Sequence, residues 1–209
     1  MCKNLLLVLL PVFITTLSFS QVRFGLKAGL NYSSAYVKTP SGAKPDVKGG
    51  QGFHLGAQLK IPFEVKLFFV PQLQYSYKSF NIKYINADTF SNKLSYHYAE
   101  IPLLFQLDTR EDHLGWFFQF GPSFSIAMKG RDEVKKINGN TSSRSTKFAF
   151  NAYGRLEANA VLNAGHRFRN NMAITGGYAL GMGSVVDDDF GPVIKPRMFT
   201  VSLHYWPGK

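Results

Sequence analysis

The feature that most limits what this chain can become is a two-residue alternation of apolar and polar side chains that recurs along almost all of it. Val22, Phe24, Leu26, Ala28, Leu30 and Tyr32 alternate with Arg23, Gly25, Lys27, Gly29 and Asn31 without an error. Successive side chains of an extended chain point to opposite faces, so this stretch is a strand with one apolar and one polar face. The same pattern returns at Phe53–Ile61, Leu67–Tyr77, Trp116–Met128, Phe148–Ala160, Met172–Met182 and Phe199–Tyr205. Between Lys93 and Leu107 the apolar phase passes from Leu94, Tyr96 and Tyr98 to Ile101, Leu103, Phe105 and Leu107. A bulge near Ala99-Glu100 is expected to absorb the extra residue. Pro71, Pro102 and Pro122 each lack a ladder donor and are expected to mark a bulge or a locally unpaired position.

Eight strands are thus expected, over 22–32, 51–61, 66–78, 93–107, 114–129, 147–162, 170–182 and 197–206. The connections alternate in length. Those at 33–50, 79–92, 130–146 and 183–196 are long and rich in Ser, Gly, Asn, Asp and Lys, whereas 62–65, 108–113 and 163–169 are short. No apolar run after residue 20 approaches the roughly 18 residues of a spanning helix. Long loops at one end and short turns at the other are the pattern of an all-β, single eight-stranded antiparallel up-and-down transmembrane barrel.

The sign of the alternation separates two barrels. A soluble lipocalin-like binder turns its apolar face inward, and a membrane barrel turns it to lipid. Here the polar phase is heavy in Gly, Ser, Asn and Gln, which suits a narrow interior, and large aromatics gather at the strand ends. Tyr32, Tyr75, Tyr77, Tyr96, Phe148 and Phe199 are expected to form one girdle, and Phe24, Phe69, Phe105, Trp116, Tyr205 and Trp206 the other. Bilayer interfaces select such belts, so the membrane form is the expected one.

Residues 1–20 carry a short basic start, an apolar run over Leu5–Leu17 and small residues at Ser18 and Ser20. They are expected to be a secretory signal, with the barrel domain spanning 21–209. Cleavage removes Cys2, the only cysteine, so no disulfide is expected. The net charge of +11 comes from 24 bases against only 13 acids, without a basic run or an Arg-rich helix. Nucleic acid is therefore not an expected partner.

Eight strands leave an interior that side chains fill. Arg23, Lys27, His54, Gln58, Lys60, Gln72, Gln74, Gln119, Arg155 and Glu157 are expected to make a packed polar network there, with Glu157 paired to Arg155, Lys27 or Lys60 because a lone interior charge is costly. Bases cluster at the long-loop rim, namely Lys78, Lys83, Lys93, Lys129, Arg131, Arg144, Lys147, Lys195 and Arg197. They are expected to meet lipid phosphates or lipopolysaccharide. No catalytic, cofactor-binding or metal-binding constellation stands out. His54, His97 and His204 are expected on the inward phase, His113 and His166 in short turns, and His97 nearest the outer rim with Ser95 or Ser76. Asp187-Asp188-Asp189 lacks the spaced ligands of a dedicated calcium loop.

The stretch Phe24-Gly25-Leu26-Lys27-Ala28-Gly29-Leu30-Asn31 resembles the opening strand of the PorT-like outer-membrane β-barrel family of Bacteroidota. Tyr98-Ala99-Glu100-Ile101-Pro102-Leu103-Leu104-Phe105 is similar to that family's fourth-strand motif, with Ala99 where Leu is usual. Phe120-Gly121-Pro122 is similar to its fifth strand. The chain's end, Tyr205-Trp206-Pro207-Gly208-Lys209, departs from such barrels, which usually finish on an aromatic. The resemblance implies the outer membrane and an eight-stranded barrel, with a part in type IX secretion for its namesake but no single activity. The expected function is structural, envelope-interacting or secretion-accessory, through envelope or secretion proteins. A narrow porin and a lipid-modifying enzyme are the alternatives.

Overall fold

The computed structural model describes residues 22–39, 45–83, 89–136, 140–146, 154–184 and 193–207. Nine strands follow in order: β1 (Arg23–Lys38), β2 (Asp46–Pro62), β3 (Leu67–Lys83), β4 (Thr89–Asp108), β5 (Gly115–Lys136), β6 (Thr141–Ser145), β7 (Leu156–Arg167), β8 (Met172–Gly181) and β9 (Val193–Tyr205). Each pairs antiparallel with its sequence neighbour, except that β5 pairs with both β6 and β7 along one edge. β1 meets β9 from Leu26↔Tyr205 to Lys38↔Val193, which closes the sheet into an eight-stranded barrel. Within lipid no water is available to an unpaired N–H or C=O, and closure removes every edge.

The short connections lie at one end. Phe63 and Glu64 N–H both donate to Leu67 O at 2.9 Å, and Phe168 N–H donates to Met172 O at 2.8 Å. Between β4 and β5, Leu114 N–H donates to Asp112 Oδ1 at 3.0 Å and His113 takes φ 58°, which turns the chain sharply.

Three boundaries depart from the sequence expectation. First, β1 to β5 run about four to seven residues further toward the long loops. Second, the expected strand 147–162 is β7 ending at Arg167, preceded by the separate β6, and 147–153 lie outside the described residues. Third, there is no bulge at Ala99-Glu100. The β3–β4 register runs unshifted from Leu67↔Leu107 to Lys83↔Ser91, and the extra residue is Met128 of β5, skipped between His97↔Lys129 and Tyr98↔Ala127. Strand pairing lapses beside Pro71, Pro102 and Pro122 without a register shift there.

The first and third departures have one cause. β4 keeps a single inward phase through Leu94, Tyr96, Tyr98, Glu100, Leu104, Gln106 and Asp108, all buried. What changes along it is the hydropathy of the two faces, not the register. β1 does the same: Asn31 and Ser33 point inward, then Ala35 and Val37. On β3 the inward Gln72, Gln74, Ser76 and Lys78 give way to Phe80 and Ile82, while the outward Leu73, Tyr75 and Tyr77 give way to Asn81 and Lys83, with Ser79 between them covered against Gln51 of β2. Below a plane near Ser33 and Lys78 the barrel is polar inside and apolar outside. Above it the arrangement inverts, and Ala35, Val37, Phe80, Ile82, Leu94, Tyr96, Tyr98, Ala127 and Ile194 form a buried apolar cluster. Such a plane is where a wall passes from lipid into water.

Leu30, Leu55, Leu73, Phe124, Leu162 and Leu203 stand exposed on the outer face of the lower part. In phospholipid vesicles, Leu203→Arg in this belt should lower unfolding stability by about 2–4 kcal/mol. Asn81→Arg above it should change stability by less than about 0.5 kcal/mol. Urea titration followed by gel mobility checks both values.

Candidate functional site

The interior of the lower barrel is built from the polar phase of each strand. Glu100, Ser125 and Glu157 fall in one cross-strand row on β4, β5 and β7. Ser125 is small, so the carboxylates of its neighbours converge over it. Lys78 Nζ lies 2.7 Å from Glu100 Oε1 and 2.9 Å from Glu157 Oε1. Gln74 donates to the other oxygen of Glu100, and Asn159 Nδ2 donates to Glu157 Oε1 at 2.8 Å. Lys27 Nζ donates to Gln72 Oε1 at 3.1 Å. The two lysines and two acids of this centre balance in charge, as buried charge requires.

A second centre lies toward the short turns. Lys60 Nζ is 2.6 Å from Asp108 Oδ2 and 3.6 Å from the centroid of the Phe68 ring. A chain of amides leads to the same acid: Asn163 Nδ2 donates to Gln119 Oε1 (3.0 Å), Gln119 Nε2 to Gln106 Oε1 (2.8 Å), and Gln106 Nε2 to Asp108 Oδ1 (2.6 Å). His113, in the turn outside the bilayer, packs edge-on to Phe68 with Nδ1 3.2 Å from Asp108 Oδ2. Partial burial, then the nearby Lys60 ammonium, lowers its pKa. In the same turn the Leu114 N–H, and next the Arg110 guanidinium, hold the Asp112 carboxyl below its usual range.

Between the centres, His204 links Gln58 Oε1 (3.2 Å from Nδ1) and Thr175 Oγ1 (2.9 Å from Nε2), and His54 Nε2 lies 2.9 Å from Ser202 Oγ. Trp206 stacks on His204 at 5.6 Å and carries Arg167 4.1 Å over its ring. Gly25 makes this possible, since a Cβ there would stand 2.7 Å from Trp206 Nε1. The remaining interior spaces are small. One of about 30 Å³ lies among Lys27, Gln72, Glu100 and Thr200, and one of about 10 Å³ lies beneath the apolar cluster. Each is on the scale of one or two waters.

Lys27, His54, Gln58, Lys60, Gln72, Gln74, Gln119 and Glu157 lie inside, as their phase predicted. Several residues fall elsewhere. Arg23 keeps the inward phase but is exposed at the barrel's short-turn end, and Arg155 is exposed where β6 gives way to β7. Lys78, expected at the rim, is buried and is the partner of Glu157 in place of Arg155, Lys27 or Lys60. Tyr96 and Trp206, expected in the girdles, are buried inside, one in the apolar cluster and one in the space Gly25 leaves. Interior acids beyond Glu157 are Glu100, Asp108 and Asp132, and Asp132 meets the rim base Arg144 at 3.2 Å. The supposed bulge hid Glu100, because it left that residue's phase undefined.

On the outside, Tyr32, Phe199, Phe24, Phe105, Trp116 and Tyr205 are exposed, and Tyr75 and Tyr77 are half-buried. Lys93, Lys129, Arg131, Lys195 and Arg197 are exposed on the outward phase above the belt. His97 is outward, not inward. Tyr75, rather than Ser95 or Ser76, meets its Nδ1, so no serine–histidine pair is built there. Ser76 lies inside against Asn31. His166 lies on β7 rather than in a turn, against Trp116 and Phe168. Lys147, Phe148 and Asp187-Asp188-Asp189 lie outside the described residues.

A closed barrel with a polar, charge-balanced interior and an apolar belt is a membrane architecture, and the sequence comparison agrees. The profile of the outer membrane protein beta-barrel domain family matches residues 16–187. The chain belongs to that family. It is an outer-membrane β-barrel protein. None of the curated proteins matches it. Among solved structures, Ail, the attachment invasion locus protein of Yersinia pestis, in complex with the heparin analogue sucrose octasulfate, is 15% identical with a TM-score of 0.47, covering 88% of this chain and 99% of that one. Neisserial surface protein A is 14% identical with a TM-score of 0.46, covering 87% and 96%. OprG of Pseudomonas aeruginosa is 12% identical with a TM-score of 0.37, covering 89% and 96%.

Removing Lys78 leaves two buried carboxylates against the single positive charge of Lys27. Lys78→Met should destabilise the barrel by about 3–5 kcal/mol. Adding Glu157→Gln, which leaves one acid, Glu100, to balance Lys27, should recover most of that loss. Urea unfolding in detergent micelles, scored by the mobility of the unboiled barrel, measures both.

Proposed function

We propose that this barrel is a sealed outer-membrane element with a structural, envelope-interacting or secretion-accessory duty, acting through its outer face and its long-loop end rather than by passing solute. One observation carries the reading. The wall projects beyond the belt and encloses an apolar cluster of Phe80, Ile82, Leu94, Tyr96 and Tyr98, directly above the Lys78–Glu100–Glu157 centre. An ion following the axis would meet an apolar constriction and then a neutralised, tightly bonded pair of acids. Neither offers the hydration that a conducting path needs.

The long-loop end faces the cell exterior in this reading and the short turns face the periplasm, the usual sense for such barrels. A place beside the PorT-like members rests on the segments Phe24–Asn31 and Tyr98–Phe105. Gly25 in the first admits Trp206, and Glu100 in the second anchors Lys78, so both segments hold interior positions. Secretion or envelope proteins reaching the projecting wall are the partners that fit.

Planar-bilayer recording of the refolded full chain tests the proposal. The expected record shows no resolved conductance steps in 1 M salt. Steady steps from the unmodified protein would make it a narrow porin and overturn the sealed reading. Phe80→Ala with Tyr96→Ala should introduce brief openings if the apolar cluster is the seal.

A further inference from the structure

A concave feature lies on the outer face at the height where its hydropathy inverts. A groove of about 550 Å³ is lined by Leu30, Tyr32, Phe53, Tyr77, Phe199 and Val201, a volume in the ligand-sized range of roughly 300–1,000 Å³. It lies across β9, β1, β2 and β3, beside the register shift between Gly49 and Phe53. Gly49 helps to form it, because a Cβ there would stand 2.3 Å from the Tyr32 ring. That glycine lets Tyr32 lie over β2 as one wall.

Tyr77 forms the other wall and joins the groove to a basic patch. Its ring lies 6.0 Å from Phe53 on the groove side and 5.1 Å from His97 on the other. Tyr77, His97 and Lys129 make one cross-strand row, and Ser79, Ser95 and Arg131 make the row above it. Lys93 stands a further step up, opposite Glu133, and the exposed Asp46 stands opposite Lys83 on the same face. The patch depends on the skipped residue in β5. Met128 and Lys129 are both exposed in succession, so Met128 ends the apolar belt and Lys129 begins the polar rim. Had β5 alternated strictly through Met128, Lys129 would turn inward.

From this juxtaposition we infer that the outer face binds a phosphorylated, multiply acylated glycolipid of the outer leaflet, with an acyl chain in the Tyr32–Phe199 groove and a phosphate over His97, Lys129 and Arg131. The occupant follows from position and charge. An apolar groove within the belt presents hydrocarbon with its own chemistry, and cations directly above the belt meet anions at headgroup depth. The inference rests on the proposed orientation, which puts this rim in the outer leaflet.

The experiment uses the purified full chain in phosphatidylcholine nanodiscs, with bound lipid A counted by native mass spectrometry. Diphosphorylated lipid A should bind about tenfold or more tightly than enzymatically dephosphorylated lipid A. Lys129→Gln with Arg131→Gln should weaken binding similarly, and Val201→Trp should weaken it by filling the groove. A charge-matched control, Lys66→Gln with Arg110→Gln at the short-turn end, should bind as the unmodified protein does. Equal binding of both lipids, or equal loss in the control, would overturn the inference. The comparison of the two lipids uses the unmodified protein and so stands even if a variant misfolds. A conducting barrel that still selects the phosphorylated lipid would overturn only the sealed reading.

Discussion

A bilayer offers the backbone no hydrogen-bond partner, and the rest of this structure depends on that constraint. Each strand within lipid must be bonded on both sides, so the sheet closes through β1 and β9. Closure with eight strands leaves a bore that side chains fill, and the outer face has already claimed the apolar phase for lipid. The bore is therefore polar, and its charges have to be neutralised within it. Lys78 between Glu100 and Glu157, and Lys60 on Asp108, are the consequence. Small residues at Gly25 and Ser125 make room for the longer partners Trp206, Glu100 and Glu157.

Above the belt the same strands obey the opposite rule. Water now bathes the outer face, so burial of apolar area drives Phe80, Ile82, Leu94 and Tyr96 inward and leaves Asn81, Lys93 and Arg131 outside. One wall thus serves two solvents, changing its sidedness on β1, β3 and β4 while each keeps its inward phase, with register shifts opposite them at Gly49–Phe53 of β2 and at Met128 of β5. The boundary sets the depth of the barrel, puts the apolar seal over the charged core, and brings the bases of the rim beside the aromatic end of the belt.

The alternation made the barrel, its strand number and the inward positions of Lys27, Gln58, Gln72 and Glu157 legible in the sequence. Wherever the rule reversed, the reading failed. Ser33–Lys38 and Ser79–Lys83 passed for loop, because a strand with apolar residues inside a water-bathed wall breaks the phase set below it. In β4 the reversal looked like a bulge, which hid Glu100 and moved Tyr96 to the wrong face. Lys78 was misplaced for a related reason: it is the last polar inward residue before the inversion, and a lysine at a strand end resembles a rim base. Trp206 was placed by residue type, whereas its alternation with His204 puts it inside. The Lys78–Glu157 pair joins β3 to β7, and no local pattern encodes a contact across a bore.

The inversion plane is the central claim, and a depth measurement tests it most directly. Single cysteines at the outward positions 73, 75, 77, 81 and 83 of β3, in a chain whose only native cysteine is Cys2, take a nitroxide label in lipid vesicles. The account predicts collision with oxygen at 73 and 75, a crossover at 77, and collision with a water-soluble nickel chelate at 81 and 83. Oxygen-dominated collision continuing through 81 would put the projecting wall in lipid and contradict it.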